Sequence, residues 1–267
     1  MVTVMNILET FTKMNRIPVI LLAAFFCLSS MQLAHAAGII RVVVYGDSLT
    51  SGYQLTEEDS YASKLRKKLQ EVGYTNVEVV NMSVAGESTS GGLERLSSLL
   101  LKQPDIVVLQ LGGNDVIRGV SPNLIYHNLI HIIGRLKENN VYVVLIGMKA
   151  PPNMGSEYVQ QVESIYQRMA NFYNLAFYPS ALEGIFGYPE LNLADGIHPN
   201  SKGIDVMVEN TYRLVDAGLR WKWEVLQYQE EYRRRWEQDT SENLPAPVTP
   251  QPDAAASTFQ QAPAAPQ

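Results

Sequence analysis

From Ile39 onward the chain alternates short runs of β-branched residues with longer stretches of helical period, and this alternation restricts its fold more than any other feature. Parallel strands need long crossover connections, so such a chain builds a parallel sheet with helices over both faces. The first strand reads as 39–45. Residues 59–72 then set Tyr61, Leu65, Leu69 and Val72 on one helical face, and Gly73 follows as a stop. Further strands fall at 77–80, 105–111, 141–147 and 175–178, and further helices at 92–102, 122–139, 156–173 and 200–219. Five parallel strands between two helical layers define a flavodoxin-like three-layer α/β/α sandwich, a fold that binds ligands beyond the carboxyl ends of its strands.

The flanks differ in character. Lys13 and Arg16 precede an apolar run at 17–28, and Ala34-His35-Ala36 supplies the small residues that a signal peptidase reads. Twelve apolar residues fall short of the roughly 20 that span a bilayer, so 1–36 reads as a cleavable export signal and the protein as periplasmic. The single cysteine, Cys27, lies within that signal, which excludes a disulfide framework and any multi-cysteine metal site. The domain is expected over 37–219. A helical extension at 220–240 carries Trp221, Val225, Tyr228, Tyr232 and Trp236 along one stripe, read as packing on its own domain, with weak contact to a lipid surface or a partner protein as the alternative. The tail, 241–267, is mostly Pro, Ala and Gln from Leu244 and is expected to be disordered. With 21 basic and 27 acidic residues the net charge is -6, so nucleic acid is excluded as a partner.

Three segments rich in reactive side chains or glycine follow predicted strands: Gly46-Asp47-Ser48-Leu49-Thr50, the stretch 81–92 with Gly86, and Gly112-Gly113-Asn114-Asp115. A fourth, Asp195-Gly196-Ile197-His198-Pro199-Asn200, precedes the last helix. In a parallel sheet these strand ends meet at one edge. Ester hydrolysis needs a nucleophile, a base, a group orienting the base, and donors for the oxyanion. Ser48 enters a helix from a turn and is placed as nucleophile. Of the histidines after residue 36, His127, His131 and His198, only His198 has a carboxylate, Asp195, three residues earlier in a tight turn. Gly86 presents an unobstructed N–H, and Asn114 a neutral side-chain donor; with the N–H of Ser48 they make a three-donor oxyanion hole. Asp47 reads as a turn-former or helix cap. His127 and His131 share a helical face at a spacing that can bind zinc, but no third ligand accompanies them. No metal or organic cofactor is needed for this chemistry.

The four segments, in this order and spacing, resemble the four blocks of the GDSL or SGNH hydrolase family over about residues 40–219, including Gly-Leu-Glu-Arg-Leu at 92–96. The resemblance implies the SGNH hydrolase fold, Ser48 as nucleophile, Asp195 and His198 completing the triad, and Ser48, Gly86 and Asn114 as oxyanion donors. Two departures stand out: Glu87 follows Gly86 where the family is expected to carry Asp, and the loop at 148–155, which borders the acyl pocket in relatives, lacks their Leu-Pro pair. The implied activity is a serine esterase for small acyl esters, thioesters or lysophospholipids. Alternatives are a carbohydrate O-acetylesterase and a lipid carrier docking through the 220–238 helix.

Overall fold

A computed structural model describes residues 38–238; the segment 1–36, expected to be an export signal, and the Pro/Ala/Gln-rich tail expected to be disordered lie outside the described residues. Five parallel strands form one sheet in the order β2-β1-β3-β4-β5: β1 (Ile40–Gly46), β2 (Val77–Asn81), β3 (Ile106–Gln110), β4 (Tyr142–Ile146) and β5 (Ala176–Tyr178). The three-layer α/β/α fold is therefore the one the alternation implies. Every residue of β3 and β4 is buried, and in β1 all but Arg41, because helices cover both faces of the central strands. The edge strand β2 alternates instead.

The helices are α1 (Ser48–Ser51), α2 (Tyr61–Glu71), α3 (Thr89–Glu94), α4 (Leu96–Leu100), α5 (Gly113–Ile117), α6 (Pro122–Glu138), α7 (Ser156–Tyr173) and α8 (Ser201–Gln238). Helices α2 and α8 pack together on one layer; α3, α6 and α7 pack in series on the other. Right-handed crossovers to either side of β1 produce this division. Helix α5 at Gly113–Ile117 is not anticipated by the pattern reading, and two of the expected helices differ from it. The single helix expected at 92–102 starts earlier, because Ser88 accepts the Gly91 N–H as an N-cap, and it breaks at Arg95 into α3 and α4. The helix expected to close the domain at Leu219 runs on without interruption. Trp221 and Val225 are buried, whereas Tyr228 and Trp236, on the same stripe, are 37% and 51% exposed. The stripe thus serves the domain core only in its first half.

Candidate active site

The site is built where β1 and β3 end. Gly46 pairs with Gln110, so the turns that follow the two strands start side by side. Asp47 leaves β1 in extended conformation and caps α1, its Oδ1 accepting the Leu49 N–H at 3.0 Å, and Ser48 is the first helical residue. Across the edge, the segment 193–198 forms a compact turn, with Leu193 N donating to His198 O at 2.7 Å and Gly196 N to Leu193 O at 2.9 Å. Asn192 and Asn200 hold this turn from below. Asn192 Nδ2 donates to the Ile185 and Tyr188 carbonyls, and Asn200 Nδ2 donates to those of Glu190 and Asn192.

The turn carries His198 to Ser48. His198 Nε2 lies 2.9 Å from Ser48 Oγ, and Nδ1 lies 2.8 Å from Asp195 Oδ2. The other Asp195 oxygen accepts the backbone N–H groups of Ile197 and His198, both at 2.9 Å. These backbone donors, His198 first, then Ile197, together with the imidazole, hold the exposed Asp195 carboxyl down at about 2. Asp195 is thus an anion across the neutral range, takes the Nδ1 proton in a hydrogen bond, and leaves the Nε2 lone pair facing the serine hydroxyl.

The other two candidates are brought together by a second set of bonds. Val84 N donates to Gly46 O at 3.0 Å, which lays the loop after β2 over the end of β1. Gly86 in that loop sits at φ +81°, in the left-handed region that favours glycine. Gly112, at φ +117°, makes the turn into α5, and a Cβ there would lie 2.1 Å from the Tyr166 hydroxyl oxygen, which itself donates to Leu111 O. Asn114, in α5, donates through Nδ2 to Glu87 O at 3.0 Å, joining it to the residue after Gly86. The two groups of candidates adjoin at Gly113, where a Cβ would lie 3.2 Å from Asp47 Oδ2.

Three neighbours were not legible as site residues. The Tyr53 ring stacks on the His198 imidazole at a centroid distance of 4.6 Å and a tilt of 44°. Gln110, fully buried, donates through Nε2 to Asp47 Oδ2 at 3.3 Å; a lone amide ending an otherwise apolar strand was the available signal. Asp115 is buried under α3 and accepts Thr89 N at 2.8 Å and Thr89 Oγ1 at 2.6 Å, while Asn128 Nδ2 bonds Thr89 Oγ1. His127 and His131 lie on the exposed face of α6.

A hydroxyl, an imidazole and a carboxylate in relay at the carboxyl edge of a parallel sheet are the parts of a serine-type hydrolytic centre. The sequence comparison agrees: residues 44–206 match the GDSL-like Lipase/Acylhydrolase family, and the chain belongs to it. It is 38% identical to an arylesterase of Vibrio mimicus over 67% of this chain and 87% of that one. It is 32% identical to the thioesterase 1/protease 1/lysophospholipase L1 of Escherichia coli K12 over 62% of this chain and 78% of that one. The crystal structure of TesA superposes with a TM-score of 0.64 at 33% identity, covering 67% of this chain and 99% of that chain. The chain is an SGNH acyl hydrolase.

Proposed function

We propose that this protein is an exported serine esterase that hydrolyses acyl esters and thioesters, of the lysophospholipase and arylesterase type, through Ser48, His198 and Asp195. The observation that carries this reading is the unbroken relay from Asp195 Oδ2 through both imidazole nitrogens to Ser48 Oγ. Ser48 Oγ attacks the acyl carbon as its proton passes to His198 Nε2, and the Asp195 anion stabilises the imidazolium so formed. The oxyanion faces the N–H groups of Ser48 and Gly86 and the second Nδ2 hydrogen of Asn114, the first being held by Glu87 O. The imidazolium then protonates the leaving group. Water, activated by the neutral imidazole, cleaves the acyl-Ser48 ester and restores the site.

Exposed apolar side chains favour a fatty acyl group. Tyr53, Val84, Ile117 and Ile197 each stand within five residues in sequence of Ser48, Gly86, Asn114 or His198, and all four face solvent. The export signal rests on residues 1–36 and places the enzyme in the periplasm, away from cytoplasmic acyl-CoA, so lysophospholipids and related esters are the substrates proposed. The decisive experiment is Ser48→Ala, assayed with p-nitrophenyl esters and a fluorophosphonate probe. Loss of labelling and a fall in kcat on the order of 10⁵- to 10⁶-fold are expected; near-normal hydrolysis would exclude the mechanism. On the wild-type enzyme, rates should climb from acetyl to octanoyl esters, and a steep fall would reassign the site to O-acetylated carbohydrate.

A further inference from the structure

The proposed oxyanion donor Gly86 sits in the loop after β2, where its carbonyl accepts Arg118 Nη2 at 3.1 Å and the next residue, Glu87, donates its N–H to Val84 O at 3.1 Å. Gly86 has no side chain, and a Cβ placed on it would meet no atom within 4 Å, so no side-chain packing at residue 86 anchors the loop. Polar ties fix it instead. Arg95, at the junction of α3 and α4, donates through Nε to Glu87 Oε2 at 2.5 Å and through Nη1 and Nη2 to Met82 O at 3.3 and 3.4 Å. One guanidinium therefore holds both ends of the 82–87 loop. Its flat face lies over the Tyr45 ring at 4.8 Å, and Tyr45 is a buried β1 residue whose hydroxyl donates to Gly92 O at 2.6 Å. The floor of this clasp is thus the strand that delivers Ser48. Gly91 makes room for it: a Cβ there would lie 2.0 Å from Glu87 Oε1. Glu87 has its carboxylate largely covered beneath Arg95.

Resting on the reading of Gly86 as an oxyanion donor, we propose that Arg95 is a positioning residue that, through Glu87 and the Met82 carbonyl, aims the Gly86 N–H at the developing oxyanion. A donor that must be reoriented during reaction loses much of its advantage over water. The bidentate, planar fork of arginine suits a clasp with two anchor points, whereas lysine can hold only one.

The proposal is tested on the full-length enzyme with Arg95→Met, Arg95→Lys and Gly91→Ala, and with Asn114→Ala as the reference. Deleting an oxyanion donor outright costs on the order of 100- to 1,000-fold in kcat, so Asn114→Ala, which also releases Glu87 O, sets the upper end of that scale. Arg95→Met is expected to lower kcat by roughly tenfold with KM for a short ester unchanged, and Arg95→Lys by a smaller factor. Affinity for an alkyl boronic acid, whose tetrahedral Ser48 adduct places an oxygen in the hole, should fall in step with kcat. Gly91→Ala leaves Arg95 in place and displaces the Glu87 carboxylate; the better helix preference of alanine offsets part of the lost pairing, so the melting temperature should fall by no more than a few degrees while kcat falls. It also serves if Arg95→Met fails to fold. Equal kcat in wild type and folded Arg95→Met or Gly91→Ala, or a fall in kcat with boronate affinity unchanged, overturns the clasp. If Asn114→Ala is also fully active, the oxyanion reading itself is lost; if Asn114→Ala is crippled while the Arg95 variants are not, only the clasp is.

Discussion

The two ends of the same sheet treat polar groups in opposite ways. At the amino ends of the strands they close on one another. Asp105, just before β3, accepts Arg41 N at 2.8 Å and Lys222 Nζ at 2.7 Å, and both partners are at least half-covered. Beside it Trp221 lies on Tyr142, the first residue of β4, at 5.6 Å. At the carboxyl ends the proposed mechanism uses capacity held in reserve: the His198 Nε2, the Ser48 hydroxyl and the second amide hydrogen of Asn114. The Asp105 cluster holds the fold, and the Ser48–His198 edge is proposed to do the chemistry, so substitutions at the two ends should separate rate from stability.

The largest separation is expected from His198→Ala. Removing the proposed base should cut kcat on the order of 10⁵- to 10⁶-fold, whereas the melting temperature should shift by only a few degrees, because the side chain lies at the rim of the site, 22% exposed, and outside the apolar core. Matched thermal melts and ester assays check this, and a variant that loses rate only in proportion to folded protein would collapse the distinction. The counterpart is Lys222→Met. It strands the buried Asp105 carboxylate without its cation, which costs about 3 kcal/mol, or roughly 6–12 °C in a domain of this size. At 25 °C the kcat of the folded fraction should equal wild type. A stable Lys222→Met would mean that the Lys222–Asp105 pair adds nothing to the fold and that α8 holds the domain past Leu219 through Trp221 and Val225 alone.

That last point bears on how much could be read from the sequence. The strands were legible because burial on both faces leaves continuous apolar runs, and the relay was legible because His198 has Asp195 three residues before it in a turn that brings the two side chains together. What escaped were interactions fixed only by tertiary placement. Gln110 meets Asp47 from 63 residues away, Tyr53 reaches His198 across a loop, and Arg95 breaks its helix where it reaches for the Met82 carbonyl and Glu87. The helix boundary at Leu219 had a different cause. Residues 220–238 continue the helical period with balanced charge, and nothing local distinguishes Trp221 and Val225, which find a core, from Tyr228 and Trp236, which do not.

Within the active edge itself, two carboxylates pose a finer version of the same contrast. Asp195 is exposed and supplied with donors; its carboxyl is lowered to about 2, so it adds stability above the ordinary carboxylate range and loses it as pH falls toward 2. Asp47 is the reverse. Burial outweighs the Leu49 N–H and Gln110 donors and pushes its carboxyl up to about 6, with His198 easing and Asp115 aggravating the charge. The native state then binds a proton that the unfolded chain has already released, so stability should fall as pH rises from about 4 to about 6 and level off above it. Asp47→Asn keeps an acceptor for the Leu49 N–H and removes the buried charge. It should therefore be more stable than wild type at pH 7, by roughly 2–3 kcal/mol, and gain nothing at pH 4. Urea unfolding at the two pH values measures the difference directly. An equal change at both would show that Asp47 acts through its cap geometry alone and that the charge beside the nucleophile carries no cost to the fold.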